Sequence, residues 1–169
     1  VIPACTGEYA TLPPGTHKTT LDEIYQAFVV DAPFRPRREL IHQAIVLYSS
    51  LVKSAFGSAR LWIDGGFVTH KPWAAPEDAD IVVVVPMEEY VDKVNDPHWF
   101  PLWTFLNATS SDPSRWTKKL HPMGGLLDTF LMPDVEDALG IWDLRWSSVN
   151  GPNGVLVPGA AKGYLEVIL

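Results

Sequence analysis

Apolar positions along this chain recur at two spacings, and each predicts a different kind of element. Between Leu40 and Ala55 they return every three or four residues (Leu40, Ile41, Ala44, Leu47, Tyr48, Leu51, Val52, Ala55), which is one face of a helix. Pro36 falls where a first-turn proline is tolerated, and Gly57 is a natural stop. Thr20-Leu-Asp-Glu23 has the spacing of a capping box and predicts a shorter helix to about Val30. Leu61–Asp64 reads as a short strand that ends at Gly65-Gly66. Ile81–Val85 is β-branched throughout and is stopped by Pro86; without a polar face it predicts a central strand rather than an edge. Leu126–Met132 predicts a further strand, with Asp128 inside it, and Glu88 to about Val94 a helix.

The remaining stretches are less regular. Residues 1–18 hold Pro3, Pro13, Pro14 and Gly15 and read as an extended N-terminal arm, leaving 19–169 as a single domain. Residues 95–123, with Trp99, Phe100, Trp103, Phe105 and Trp116, predict helical turns and loops packed on the sheet. Val155–Val157 and Tyr164–Ile168 flank Pro158-Gly-Ala-Ala-Lys-Gly163 and suggest a terminal strand pair. The sum is an α/β domain: a small mixed β-sheet with helices packed on it.

Composition narrows the possibilities. A chain of 169 residues, 47% hydrophobic, is long and apolar enough to bury a real core. Its net charge of -7 provides no extended basic surface for nucleic acid. No apolar run reaches the ~18 residues of a membrane span, and no charged-then-apolar leader is present, so neither spanning nor export is expected. Cys5 is the one cysteine, which excludes an intrachain disulfide and fits a reducing, cytoplasmic setting. Nothing near it in sequence would activate the thiol.

The candidate chemistry lies between Leu61 and Pro86. Asp78 and Asp80 are two apart, and in an extended segment that spacing puts both side chains on one face. Two carboxylates side by side repel, and one holds its proton unless a cation intervenes. Mg²⁺ or Mn²⁺ would resolve the conflict, since such an ion takes oxygen ligands and leaves positions for phosphate oxygens. Gly65 and Gly66, lacking Cβ, let backbone N–H groups approach an anion closely. An Asp before a strand also caps turns, so the pattern by itself admits a structural reading as well.

The combination is more specific than its parts. A strand, Gly65-Gly66, eleven intervening residues (67 to 77), then Asp78-Ala-Asp80 opening a second strand resembles the nucleotidyltransferase superfamily that includes DNA polymerase β. Leu12-Pro-Pro-Gly-Thr-His17, Trp62-Ile-Asp-Gly-Gly-Phe-Val-Thr69 and Lys162-Gly-Tyr-Leu-Glu-Val167 are similar, in addition, to a group of small uncharacterised bacterial and phage proteins with such a core. The resemblance implies a nucleotidyltransferase-like core and transfer of a nucleoside monophosphate from an NTP to a hydroxyl of a protein, RNA or small molecule. It implies two Mg²⁺ ions held by Asp78, Asp80 and a third carboxylate on a neighbouring strand. Asp128 is the candidate for the third; an Asp pointing to solvent from an alternating strand is the structural reading of the same residue. Gly65, Gly66, Thr69 and Lys71 are the implied phosphate contacts, and Asp64 is expected to orient the turn through backbone hydrogen bonds.

Other residues carry less. The histidines at 17, 42, 70, 98 and 121 have no zinc-ligand spacing, and His70, nearest the motif, is expected to serve loop structure. Arg115, Lys118 and Lys119 beside Trp116 could hold a phosphate or stack a base, but read better as a solvated helical face. Two functions therefore stand: a minimal Mg²⁺-dependent nucleotidyltransferase, or a catalytically silent relative kept as a binding or assembly module in a phage or toxin–antitoxin setting.

Overall fold

The computed structural model describes residues Val1–Leu169 and contains nine strands and four α-helices. The strands are β1 (Gly15–Lys18), β2 (Arg60–Asp64), β3 (Ala79–Val85), β4 (Phe105–Ala108), β5 (Thr117–Leu120), β6 (Leu127–Pro133), β7 (Ser148–Asn150), β8 (Leu156–Ala161) and β9 (Gly163–Ile168). The helices are α1 (Leu21–Tyr25), α2 (Arg35–Ala55), α3 (Met87–Lys93) and α4 (Glu136–Trp146). Five strands form the main sheet in the order β1-β9-β2-β3-β6; β3 runs antiparallel to β2 and parallel to β6. No helix is long and apolar enough to cross a membrane.

The pleat sorts the sheet's side chains into two layers. Leu61, Ile63, Ile81, Val83, Val85, Leu127 and Leu165 point to one face, where Ile24 of α1 and Ile41, Ile45, Tyr48 and Val52 of α2 close the larger core. Trp62, Val82, Val84, Met132 and Tyr164 point to the other, where Trp146 of α4 covers them. Apolar layers on both sides explain why β3 is valine-rich without alternation. At the head of α1, Thr20 and Glu23 form the reciprocal bonds of the expected capping box, and the helix runs on as a π turn, Gln26–Val30.

Several expectations need correction. The arm does not stand apart: Leu12 is buried in the main core and β1 joins the sheet as an edge strand beside β9. On α2 the row through Ile41, Ala44, Ile45, Tyr48, Val52 and Ala55 is buried, whereas Leu40, Leu47 and Leu51 are exposed on its flank. Residues 95–123 contain a β-hairpin, β4–β5, which buries neither face and so leaves no apolar alternation to read. The terminal segments do not pair with one another: β8 pairs with β7, and β9 enters the main sheet. Pro158 and Gly159 lie within β8, where an edge position tolerates them. The helix α4 has no clean apolar stripe, since Ile141 and Leu144 face solvent.

One buried charge joins the two halves of the larger core. Arg38, on the first turns of α2, is wholly buried and has no acidic partner. Its guanidinium donates to the carbonyls of Pro33 (2.6 Å), Phe28 (3.2 Å), Phe67 (2.6 Å) and Thr69 (2.6 Å). Burial lowers its pKa to about 10, which still leaves it charged at neutral pH. Arg38 thus clamps the segment after the glycines to the helix that backs it. Arg38→Met should cost about 3 kcal/mol, or close to 9 °C in Tm for a chain of this size, because four carbonyls lose their donor. Arg38→Lys should recover less than half, since one ammonium cannot reproduce the planar fork. Thermal unfolding followed by circular dichroism checks both, and an unchanged Tm in Arg38→Met would show that the clamp contributes nothing.

Candidate functional site

Strand register assembles the acidic residues. β2 and β3 pair Asp64 with Asp80, and β3 and β6 pair Asp80 with Asp128, so three carboxylates form a row across adjacent strands. Paired residues share a face, and it is the α4 face, opposite the larger core. Asp78, one pleat period before Asp80, joins them. All four line a single cavity of about 710 Å³, together with Gly65, Gly66, Thr69 and Lys71. Asp128 is buried in this row and does not point to solvent.

The glycine turn is shaped around Asp80. Gly65 has φ 82°, in the left-handed region, and a Cβ built there would lie 2.5 Å from Asp80 Oδ2. Any other residue would push that carboxylate out of the row. Gly66 opens a single 3-10 turn, Gly66–Val68, and the space where its Cβ would project is bounded by Lys71 Nζ at 3.1 Å. Thr69 donates its hydroxyl to the Gly66 carbonyl (2.8 Å), bracing the turn. Lys71 forms no ion pair, so its charge is free to meet a ligand in the cavity.

Two of the four carboxylates have a lysine beside them and a third has a histidine. Lys162, at the junction of β8 and β9, donates to both oxygens of buried Asp64. Lys119, on β5, donates to Asp128 Oδ2. His121 Nδ1 lies 3.5 Å from Asp78 Oδ2. Asp80 has no such partner. Burial, then the charges of Asp78, Asp64 and Asp128, push its pKa up to about 7 against the pull of Lys162. Burial and the Asp128 charge also raise Asp78, and burial raises Asp64 despite Lys162. Asp128 Oδ1 is buried without a hydrogen-bond partner. No three His, Cys, Asp or Glu side chains converge tightly enough to cage a metal ion in this arrangement.

Sequence reading missed three of these residues. Lys119 was expected on a solvated helical face; it lies on a strand and reaches the acidic row. His121 was set aside with the other histidines, whereas it is His70 that serves the loop, through the Ala27 carbonyl (2.7 Å). Lys162 opens one of the motifs that carry the resemblance, but its role was not legible, because only the tertiary fold brings it to Asp64, 98 residues away. Asp64 does meet the backbone at Gly65, as expected of a residue orienting the turn, but its main partner is that lysine. Cys5 is half-buried, and burial pushes its thiol up to about 11, which lowers the share of thiolate at neutral pH.

The elevated Asp80 pKa fixes the sign of a pH effect. The folded protein keeps a proton that the unfolded chain, with an ordinary Asp pKa of 3.8, gives up. This group's contribution to stability is therefore lost as pH rises from about 4 to about 7 and is constant above that. In metal-free buffer Asp80→Asn should exceed the parent in stability above pH 7 by at least ~1 kcal/mol, about 3 °C in Tm, with the gap closing toward pH 4. Melting curves across that range test it; a gap independent of pH would place the elevated pKa elsewhere.

No curated protein and no solved structure matches this chain. A family model does, over residues 4–167, which takes in β1, the glycine turn, the whole carboxylate row and Lys162. The chain belongs to DUF6932, a family of unknown function.

Proposed function

We propose that this chain is a divalent-cation-dependent nucleotidyltransferase, moving a nucleoside monophosphate from an NTP to a hydroxyl of a protein, RNA or small molecule. The observation that carries this reading is the register of Asp80 with Asp128, with Asp78 on the same face and the Gly65-Gly66 turn lining the same cavity. Chance placement of an acidic pair before one strand would not put a third carboxylate opposite it on the next. The nucleotidyltransferase-like core that the motifs imply has this strand–turn–strand arrangement, and the α/β architecture is compatible with it.

The donor set suits Mg²⁺ or Mn²⁺. It is all oxygen, it gathers more negative charge than it neutralises, and it includes the orphaned Asp128 Oδ1. Asp78, Asp80 and Asp128 would hold the ions, with Asp128 released from Lys119. When bound, such ions lower the pKa of an attacking hydroxyl and screen the phosphate charge. The chain's own share of the work is placement. Gly65 and Gly66 expose peptide N–H groups to phosphate oxygens, Lys71 adds positive charge beside them, and Thr69 keeps the turn rigid. Asp128, at the far end of the row from that turn's strand, orients the acceptor side.

A second reading has its own observation: lysines already cover Asp64 and Asp128, and no metal cage is closed. A catalytically silent binding module would keep that arrangement. The two readings part on nucleotide binding. With Mg²⁺ and an NTP, the enzyme reading expects a higher Tm, and Asp78→Asn or Asp80→Asn should fold but lose the shift. Gly66→Val should also fold, since the tight contact is with the mobile end of Lys71 and the Pro76 backbone lies at ordinary contact distance, yet lose nucleotide binding. Asp128→Ala should keep much of the shift and lower transfer roughly a hundredfold or more. Transfer is read with labelled NTPs and lysate as the acceptor source. A parent protein whose Tm ignores all four NTPs in Mg²⁺ and in Mn²⁺ would leave the silent reading standing.

A further inference from the structure

Lys119 reaches the site from outside the main sheet. It lies on β5, in a hairpin whose base is tied next to Asp128. Thr104 N donates to the Thr129 carbonyl (3.0 Å), and Thr129 N donates to Thr104 Oγ1 (2.9 Å). The hairpin's fixed root therefore holds Lys119 over the end of the carboxylate row. Its ammonium takes Asp128 Oδ2 and leaves Oδ1 buried and unpartnered. A lysine satisfies only half of this carboxylate. His121, two residues on, stands against Asp78 in the same way, without a hydrogen bond.

We infer that Lys119 is a built-in counter-ion that stands where a divalent cation would bind Asp128, and that it must be displaced before the metal site closes. The inference rests on the proposed metal-dependent reading and names a residue that regulates it. An ammonium and a divalent cation on one carboxylate repel each other, so each weakens the binding of the other. The site therefore binds a free metal ion weakly, and the metal enters as its triphosphate complex, whose phosphate oxygens offer the displaced ammonium a new partner. Lys119 is a positioning residue in this scheme: it sets the order in which ligands arrive.

The test uses Mn²⁺ alone as probe, with the loss of the free-ion paramagnetic resonance signal as readout, on the full chain. Lys119→Met keeps the aliphatic stem and removes the charge. It should bind Mn²⁺ roughly tenfold more tightly than the parent. Lys118→Met, beside it on the strand and clear of the acidic row, removes the same charge from the chain and should leave the affinity unchanged. Adding Asp128→Asn to Lys119→Met should abolish the gain. Equal affinity of Lys119→Met and parent overturns the inference while leaving the metal site intact. So does a gain of the same size in Lys118→Met, which would make the effect one of net charge, or a gain that survives loss of Asp128. Absence of Mn²⁺ binding in every protein instead overturns the metal-dependent reading, and this inference with it.

Discussion

Like-charge repulsion at one end of the sheet is the constraint around which this molecule is arranged. Strand register forces Asp64, Asp80 and Asp128 into adjacent positions, and the pleat adds Asp78. Carboxylates so close, two of them buried and two partly so, repel and raise one another's pKa unless compensated. Compensation arrives from parts of the chain that have no other reason to meet: Lys162 from the β8–β9 junction, and Lys119 and His121 from the end of the hairpin. The minor elements flanking the main sheet thus act as carriers of positive charge. Gly65 completes the arrangement by leaving the space that Asp80 occupies.

The opposite face obeys the same electrostatic rule with the sign reversed. Arg38 is a buried cation without an anion, and backbone carbonyls satisfy it instead. Two of those carbonyls, Phe67 and Thr69, belong to the segment that follows the glycines. Position along α2 is thereby transmitted to the wall of the cavity, through a side chain rather than through the sheet. A loop built on Gly-Gly would otherwise sample many conformations. The guanidinium fixes this turn from the core side, away from the cavity, and the proposed phosphate-binding role would need that rigidity.

What could be read from the sequence was what local physics decides. Apolar spacing placed α2, β2, β3 and β6, and the two-residue period put Asp78 and Asp80 on one side. The capping box of Thr20 and Glu23 formed as its spacing implied. An Asp within the apolar strand that became β6 signalled a buried carboxylate for the physical reason that such a residue is costly without a purpose. The elements that escaped notice are those whose stability comes from elsewhere. β4–β5 is exposed on both faces, β8 contains Pro158 and Gly159, and α4 turns Ile141 and Leu144 to solvent, which breaks its apolar stripe. The pairing of Lys119 and Lys162 with the acidic row was illegible for a related reason: both look like ordinary surface lysines until the chain is folded. Exposed leucines on α2 are the converse, apolar positions at helical spacing that lie on the flank of the buried row.

Asp80 separates a structural explanation of the acidic row from a functional one. Asp64 with Lys162, and Asp128 with Lys119, are ion pairs that a scaffold could hold for its own sake, neutral in sum and partly buried. Asp80 has no such partner, and Gly65 packs against it so closely that a compensating side chain has no room on that side. Its environment destabilises the charged form enough to lift its pKa to about 7, so the folded state at neutral pH carries an energetic penalty that an amide in its place would avoid. A residue that works against the stability that the rest of the chain provides is what the proposed reading expects at a ligand site. Under that reading the missing compensation would be positive, would approach from the cavity side and would be small enough to contact Asp78 and Asp80 together, as a divalent cation is.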